Sequence, residues 1–286
     1  MEYKCPKHNL EHIPDEVVKK TGITVAKAHT DKNSMATLAR VLMKYRGDVL
    51  AKVPFCVTVE AEAFGANIKL GDTLTSPRTD GHCFSSIEQL SGLQTFDIFK
   101  GRIGEVLGAV EILAKSGGKV VLNVAGPFTI IYSLIDPLLF FNGLRKYPSK
   151  IKAILDVFEK SIIRYSAEGI KRGASIISYE DVVGVSDIMG PKIYQDFSGP
   201  SSLRIINGIK EEAEGTFLLH LCGQTSAALE KAAMVKSHAL EVGEFPTYGQ
   251  ALLGVLDKLT VPIVIGHRCI TLSPLKMSQP VLWEIK

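Results

Sequence analysis

The chain has 286 residues, of which 46% are hydrophobic and 22% charged, and a formal net charge of +3 at pH 7. That composition excludes an intrinsically disordered chain, and the small, evenly spread charge offers no basic stripe for nucleic acid. The length suits one large α/β barrel or two small domains.

The polar leader at 1–10 lacks the apolar centre of a signal peptide, and five cysteines (Cys5, Cys56, Cys83, Cys222 and Cys269) form an odd set without close spacing. A cytoplasmic protein with reduced thiols is the expectation. Residues 34–45 carry a helical pattern, with Met35, Leu38, Leu42 and Met43 on one side. Strand-like runs follow at 53–59, 119–124, 174–179, 216–221, 238–242 and 261–265, with helical segments between them at 99–115, 151–171, 191–213, 225–236 and 248–259. The apolar stretch 120–144 could pass for a membrane span. It holds Asn123, Pro127, Asp136, Pro137 and Asn142, however, and divides at Gly126-Pro127 into a strand and a helix. No membrane segment is expected.

Strands alternating with helices imply a parallel sheet, and strands apolar throughout are buried on both faces. The expected fold is α/β, a (β/α)8 TIM barrel over residues 1–286 as one catalytic domain, with residues 1–50 as a helical extension packed on it. Only six clear strands are visible, so two are irregular or the barrel is shortened by one βα unit.

In such a barrel the working residues sit at the C-terminal ends of strands. His220 and Cys222, in His220-Leu221-Cys222-Gly223, stand where an apolar strand gives way to a loop, and residues two apart on a strand point the same way. An imidazole and a thiolate could therefore meet one metal ion. The run 261–265 ends in Gly266-His267-Arg268-Cys269, where Cys269 could supply a third ligand. A lone His-x-Cys is equally what a buried strand end looks like, since free cysteine packs as a small hydrophobe. Glu60, Glu62, Asn123, Tyr179, Glu180 and Asp181 occupy other strand ends, where helix caps and solvent-facing polar residues are the commoner case.

The segments VPFCVTVEAEAFGA, NVAGPFT, EGIKRGAS and FLLHLCG, followed by a late cysteine, resemble the uroporphyrinogen decarboxylase superfamily. Within it, His220-x-Cys222 with Cys269 resembles the zinc site of the methylcobamide:thiol methyltransferases. The resemblance implies a zinc-dependent methyltransferase that moves a methyl group from a methylated corrinoid to a zinc-activated thiol such as coenzyme M or homocysteine. The sequence has no cobalamin-binding Asp-x-His-x-x-Gly motif, so the corrinoid would arrive on a partner corrinoid protein. His220, Cys222 and Cys269 would hold the metal, and Glu60, Glu62, Glu180 or His267 could add a further ligand.

Two departures bear on this. The Arg-rich PxWxMRQAGR segment of the decarboxylases proper has no match, and the interval from Cys222 to Cys269 is about one βα unit short of the methyltransferase pattern. A metal-independent decarboxylase is one alternative. The other is a barrel with closed structural zinc, completed by His267.

Overall fold

The computed structural model describes residues 13–286; Cys5 and the rest of the polar leader lie outside them. The described strands are β1 (Ala51–Val53), β2 (Ile68–Lys69), β3 (Arg78–Thr79), β4 (Val120–Ala125), β5 (Ala174–Glu180), β6 (Leu218–Leu221), β7 (Ser237–Glu241), β8 (Ile263–Gly266) and β9 (Val281–Ile285). A seven-stranded sheet runs β1-β4-β5-β6-β8-β9-β7, and β2 and β3 form a separate hairpin. The first five strands of the large sheet are parallel, whereas β9 is antiparallel to both β8 and β7. The parallel core with helical crossovers is the α/β arrangement expected from the sequence. Among the described residues β1 and β7 stand at the two ends of the sheet.

Alternation along the strands assigns each residue to a face. Leu122, Ile177 and Leu219 point outward into the main core, shared with Val106, Val110, Ile154, Phe158, Ile162 and Ile205 of the covering helices. The helix Pro148–Lys171 buries Ile151, Ile154, Leu155, Phe158 and Ile162, a spacing that lines one stripe. Proline at its first turn loses no helical hydrogen bond. At its far end Gly173 takes φ 102°, which a glycine adopts without steric cost. Gly169 lets this helix lie against β4, since a Cβ there would overlap the Leu122 side chain.

The inner face is covered differently. Leu50, Val121, Ile176, Leu218 and Ile265 form a second cluster with Tyr248, Ala251, Leu252 and Leu256 of the helix Tyr248–Leu256. Each such aliphatic side chain contributes roughly 1.5–3 kcal/mol on full burial. At the N-terminal side the helices Asp15–Thr21, Val25–Thr30 and Lys32–Tyr45 share a third cluster of Val17, Ala28, Leu38 and Leu42. The last of them also packs on β1 and on the helix Gly101–Lys115.

The expected strand at 53–59 is a correction. β1 ends at Val53, Pro54 follows, and Val59–Ala63 is a helix. Valine and threonine favour strand, but proline has no N–H to continue a ladder. The stretch 120–144 resolves into β4 and the helices Pro127–Leu134 and Pro137–Lys146. The helix expected at 191–213 is interrupted by a π-turn at Tyr194–Ser198. No helix among the described residues is long and apolar enough to cross a membrane.

Candidate active site at the strand ends

The sheet register builds the site in rows. Val121, Ile176, Leu218 and Ile263 align as one inner row, with Lys52 beside Val121, and Asn123, Ser178, His220 and Ile265 align as the next. The first row is apolar apart from Lys52. Polar side chains enter at the second, one turn of the pleat nearer the C-terminal ends.

His220 is fully buried, and both of its ring nitrogens meet hydroxyls: Nδ1 lies 3.4 Å from Ser178 Oγ and Nε2 lies 3.0 Å from Tyr248 Oη. Burial pulls its pKa down to about 3, and the Lys52 ammonium pushes the same way. The imidazole is therefore neutral at functional pH, the form that can ligate a metal. Lys52 in turn reaches the Asp48 carboxylate and donates to Ser273 Oγ at 2.6 Å. Burial lowers its pKa and Asp48 opposes that shift.

β6 ends at Leu221, so Cys222 stands at the cap position of the helix Gly223–Lys231, with its N–H donating to the Tyr179 carbonyl at 2.9 Å. The Cys222 thiol is buried, and its pKa is raised by that burial and then by the nearby Glu180 and Cys269. Cys269 follows β8, half-buried, with Sγ 2.9 Å from Thr271 Oγ1. It lies close enough to Cys222 and Lys52 to bear on the titration of both.

The remaining candidates divide by role. Glu60 and Glu62 are on the helix Val59–Ala63, where neighbours two apart face different ways. Glu60 is buried, accepts from the Ala125 N–H at 3.0 Å, and leaves Oε2 without a partner. Burial raises its pKa to about 7. Glu62 pairs with Arg102 at 3.1 Å. Asn123 donates to the Pro54 carbonyl at 2.9 Å, tying β4 to the end of β1.

Tyr179 points outward, its hydroxyl 3.2 Å from Ser202 Oγ. Asp181 is buried and accepts from the N–H groups of Phe128 and Thr129 and from Thr129 Oγ1, so it caps the helix Pro127–Leu134. Burial raises its pKa to about 6 against those hydrogen bonds. His267 adopts φ 61°, and its Nε2 lies 2.5 Å from Ser237 Oγ and 3.5 Å from Glu230 Oε2. Its ring thus faces β7 and the preceding helix, while His220 faces Tyr248.

Among the described residues no three His, Cys, Asp or Glu side chains converge as a metal-holding group. In kind the donors fit zinc: a neutral imidazole and two thiols, with Cys269 close enough to Cys222 to help raise its pKa. For His220 to ligate through Nε2, the Tyr248 hydroxyl has to give way.

Three neighbours of His220 escaped the sequence reading. Ser178 could have been found from strand parity, since it faces the same way as Ile176 on the adjacent strand. Tyr248 and Lys52 carry no local signal, because their positions depend on how a helix and a distant strand dock.

A sequence profile described as uroporphyrinogen decarboxylase (URO-D) matches residues 7–261. The chain belongs to the uroporphyrinogen decarboxylase family. The family match takes in His220 and Cys222 and stops before His267, Arg268 and Cys269. Among curated relatives, the methylcobamide:CoM methyltransferase MtbA of Methanosarcina acetivorans is 30% identical over 217 residues, covering 75% of this chain and 63% of the relative. The methylcobamide:CoM methyltransferase MtaA of Methanosarcina barkeri is 25% identical over 232 residues, covering 80% of this chain and 67% of the relative. A solved structure of a methyltransferase from Methanosarcina mazei superposes with TM-score 0.66 at 26% identity, over 76% of this chain and 64% of that one. The chain thus spans just under two thirds of the length of the MtbA relative.

Proposed function

We propose that this URO-D family chain is a methyltransferase. It moves a methyl group from a methylated corrinoid, carried on a separate corrinoid protein, to a thiol such as coenzyme M or homocysteine. The similarity to methylcobamide:CoM methyltransferases supports the reaction class. The observation that carries the reading to a site is the pair His220 and Cys222, inside the family match and at the C-terminal end of β6.

His220, Cys222 and Cys269 are the proposed zinc ligands. A thiol is mostly protonated at neutral pH, and only its thiolate attacks well. Zinc held there would supply the positive charge that makes the thiol's loss of a proton favourable. The neutral His220 imidazole presents a lone pair, and burial of Cys222 keeps water from its sulfur. In the transfer the carbon–cobalt bond breaks and a carbon–sulfur bond forms. Cobalt(III) is reduced to cobalt(I), and the thiol proton passes to solvent.

The test is metal analysis of protein purified without chelator. About one zinc per chain is expected, as for a single catalytic site, and Cys222→Ala should lose it while staying folded. Protein that contains no zinc and takes none up on reconstitution overturns the zinc assignment.

A further inference from the structure

We propose that Arg268 anchors an anionic tail, sulfonate or carboxylate, on the substrate that reacts beside His220; the assignment to a substrate rests on the methyltransferase reading above. Arg268 directly follows His267 at the end of β8, and its guanidinium carbon sits 4.8 Å from the centre of the Tyr248 ring. The hydroxyl of that same ring touches His220. One aromatic side chain therefore separates the guanidinium from the candidate reaction centre.

Among the described residues several arginines are neutralised by carboxylates, and Arg268 is not one of them. Arg102 is paired with Glu62, Arg172 with Glu168 and Glu111, and Arg204 with Glu159. Arg268 makes one hydrogen bond, from Nη2 to the Lys276 carbonyl at 3.3 Å, and meets no carboxylate among the described residues. Its Nε is buried without an acceptor. A buried donor on a charged group is costly to leave unfilled, and a guanidinium offers adjacent N–H groups in the fork that two oxygens of one oxyanion can accept.

The backbone is arranged to hold it there. His267 has the left-handed φ of 61°, uncommon for a residue with a Cβ, and is fixed by Ser237 at the ring and by Ser226 at its N–H, 2.8 Å away. A residue with a Cβ keeps such a conformation where surrounding contacts over-determine it. Lys52, a second cation near His220, is committed to Asp48 and Ser273. Arg268 is instead placed to receive an incoming anion, and thiols with an acidic tail should be preferred to neutral alkyl thiols.

The probes are ethanesulfonate and propionate, with neutral ethyl methyl sulfone as control, titrated into the full chain. The single tryptophan, Trp283, packs edge-on to His267 at 6.3 Å and reports binding by fluorescence. The wild type should bind one or both anions saturably, their ratio showing which acid the site prefers, and should ignore the sulfone. Arg268→Gln should weaken anion binding on the order of 10- to 100-fold, the usual loss for a charged hydrogen-bonding partner. Arg268→Lys keeps the charge and should weaken it less, which separates lost recognition from misfolding. Equal anion binding by the wild type and both variants, or none by the wild type, overturns the proposal. Arg268-dependent binding in a protein that transfers no methyl group would uphold the anion site and refute the methyltransferase reading.

Discussion

The Tyr248 hydroxyl lies 3.0 Å from Nε2 of His220, joining the helix that covers the inner face to the end of the strand that carries the candidate ligands. Zinc held through Nε2, as in the proposed site, would compete with this contact for the same nitrogen. Tyr248→Phe removes the competitor, and a net hydrogen bond is worth about 1 kcal/mol, so the variant should bind zinc roughly fivefold more tightly. Competition against a chromogenic chelator measures this. Weaker zinc binding by the variant would mean that the hydroxyl helps to hold the imidazole in its ligating position.

Glu60 gives a pH dependence with a defined sign. Its carboxyl ionises near 4.5 when unfolded and near 7 when folded, because burial disfavours the charge. Its contribution to stability is thus fully present below pH 4.5 and is lost as the pH rises towards 7. Glu60→Gln removes the titration, so it should gain on the wild type between acid and alkaline pH by up to ~3 kcal/mol. Urea unfolding across that pH range reads the difference, and a constant offset would show that Glu60 does not titrate in the folded chain.

Asp181 and Gly126 form a tight corner between β5 and the helix Pro127–Leu134. Asp181→Ala leaves the Phe128 and Thr129 N–H groups without their buried acceptor and should cost roughly 2–4 kcal/mol. A Cβ at Gly126 would overlap the Asp181 carboxyl and the Tyr179 hydroxyl, so Gly126→Ala should also destabilise, by about 1–3 kcal/mol. Thermal unfolding checks both, and wild-type behaviour of either variant would contradict this packing.

The parallel strands were legible in the sequence because strands buried on both faces leave largely apolar runs, as at Val120–Ala125, broken only by Asn123, and Leu218–Leu221, broken only by His220. β9 was missed: Val281–Ile285 is short and only partly buried, and it pairs antiparallel with residues far along the chain. Ligand-type residues at the end of β6 were readable from spacing alone. Their surroundings were not, since Ser178 arrives by register and Tyr248 by the docking of a helix. His267 shares a local motif with Cys269, yet its left-handed backbone turns the ring to Ser237 and Glu230. No strand-parity argument anticipates that.

His267 accordingly provides a test between open and closed metal sites. With its ring held by Ser237, His267→Ala should leave zinc content largely intact, even if substrate binding through the adjoining Arg268 weakens. Loss of zinc together with the fold in this variant would support a closed structural site instead.

The central claim is tested most directly by methyl transfer itself. The zinc-loaded full chain is mixed with methylcobalamin and 2-mercaptoethanesulfonate, and the thioether and the cobalt(I) product are followed together. The wild type should form both in equal amounts, and His220→Ala and Cys222→Ala should form neither. A wild-type chain that binds zinc but forms no thioether, from this thiol or from homocysteine, would contradict the account.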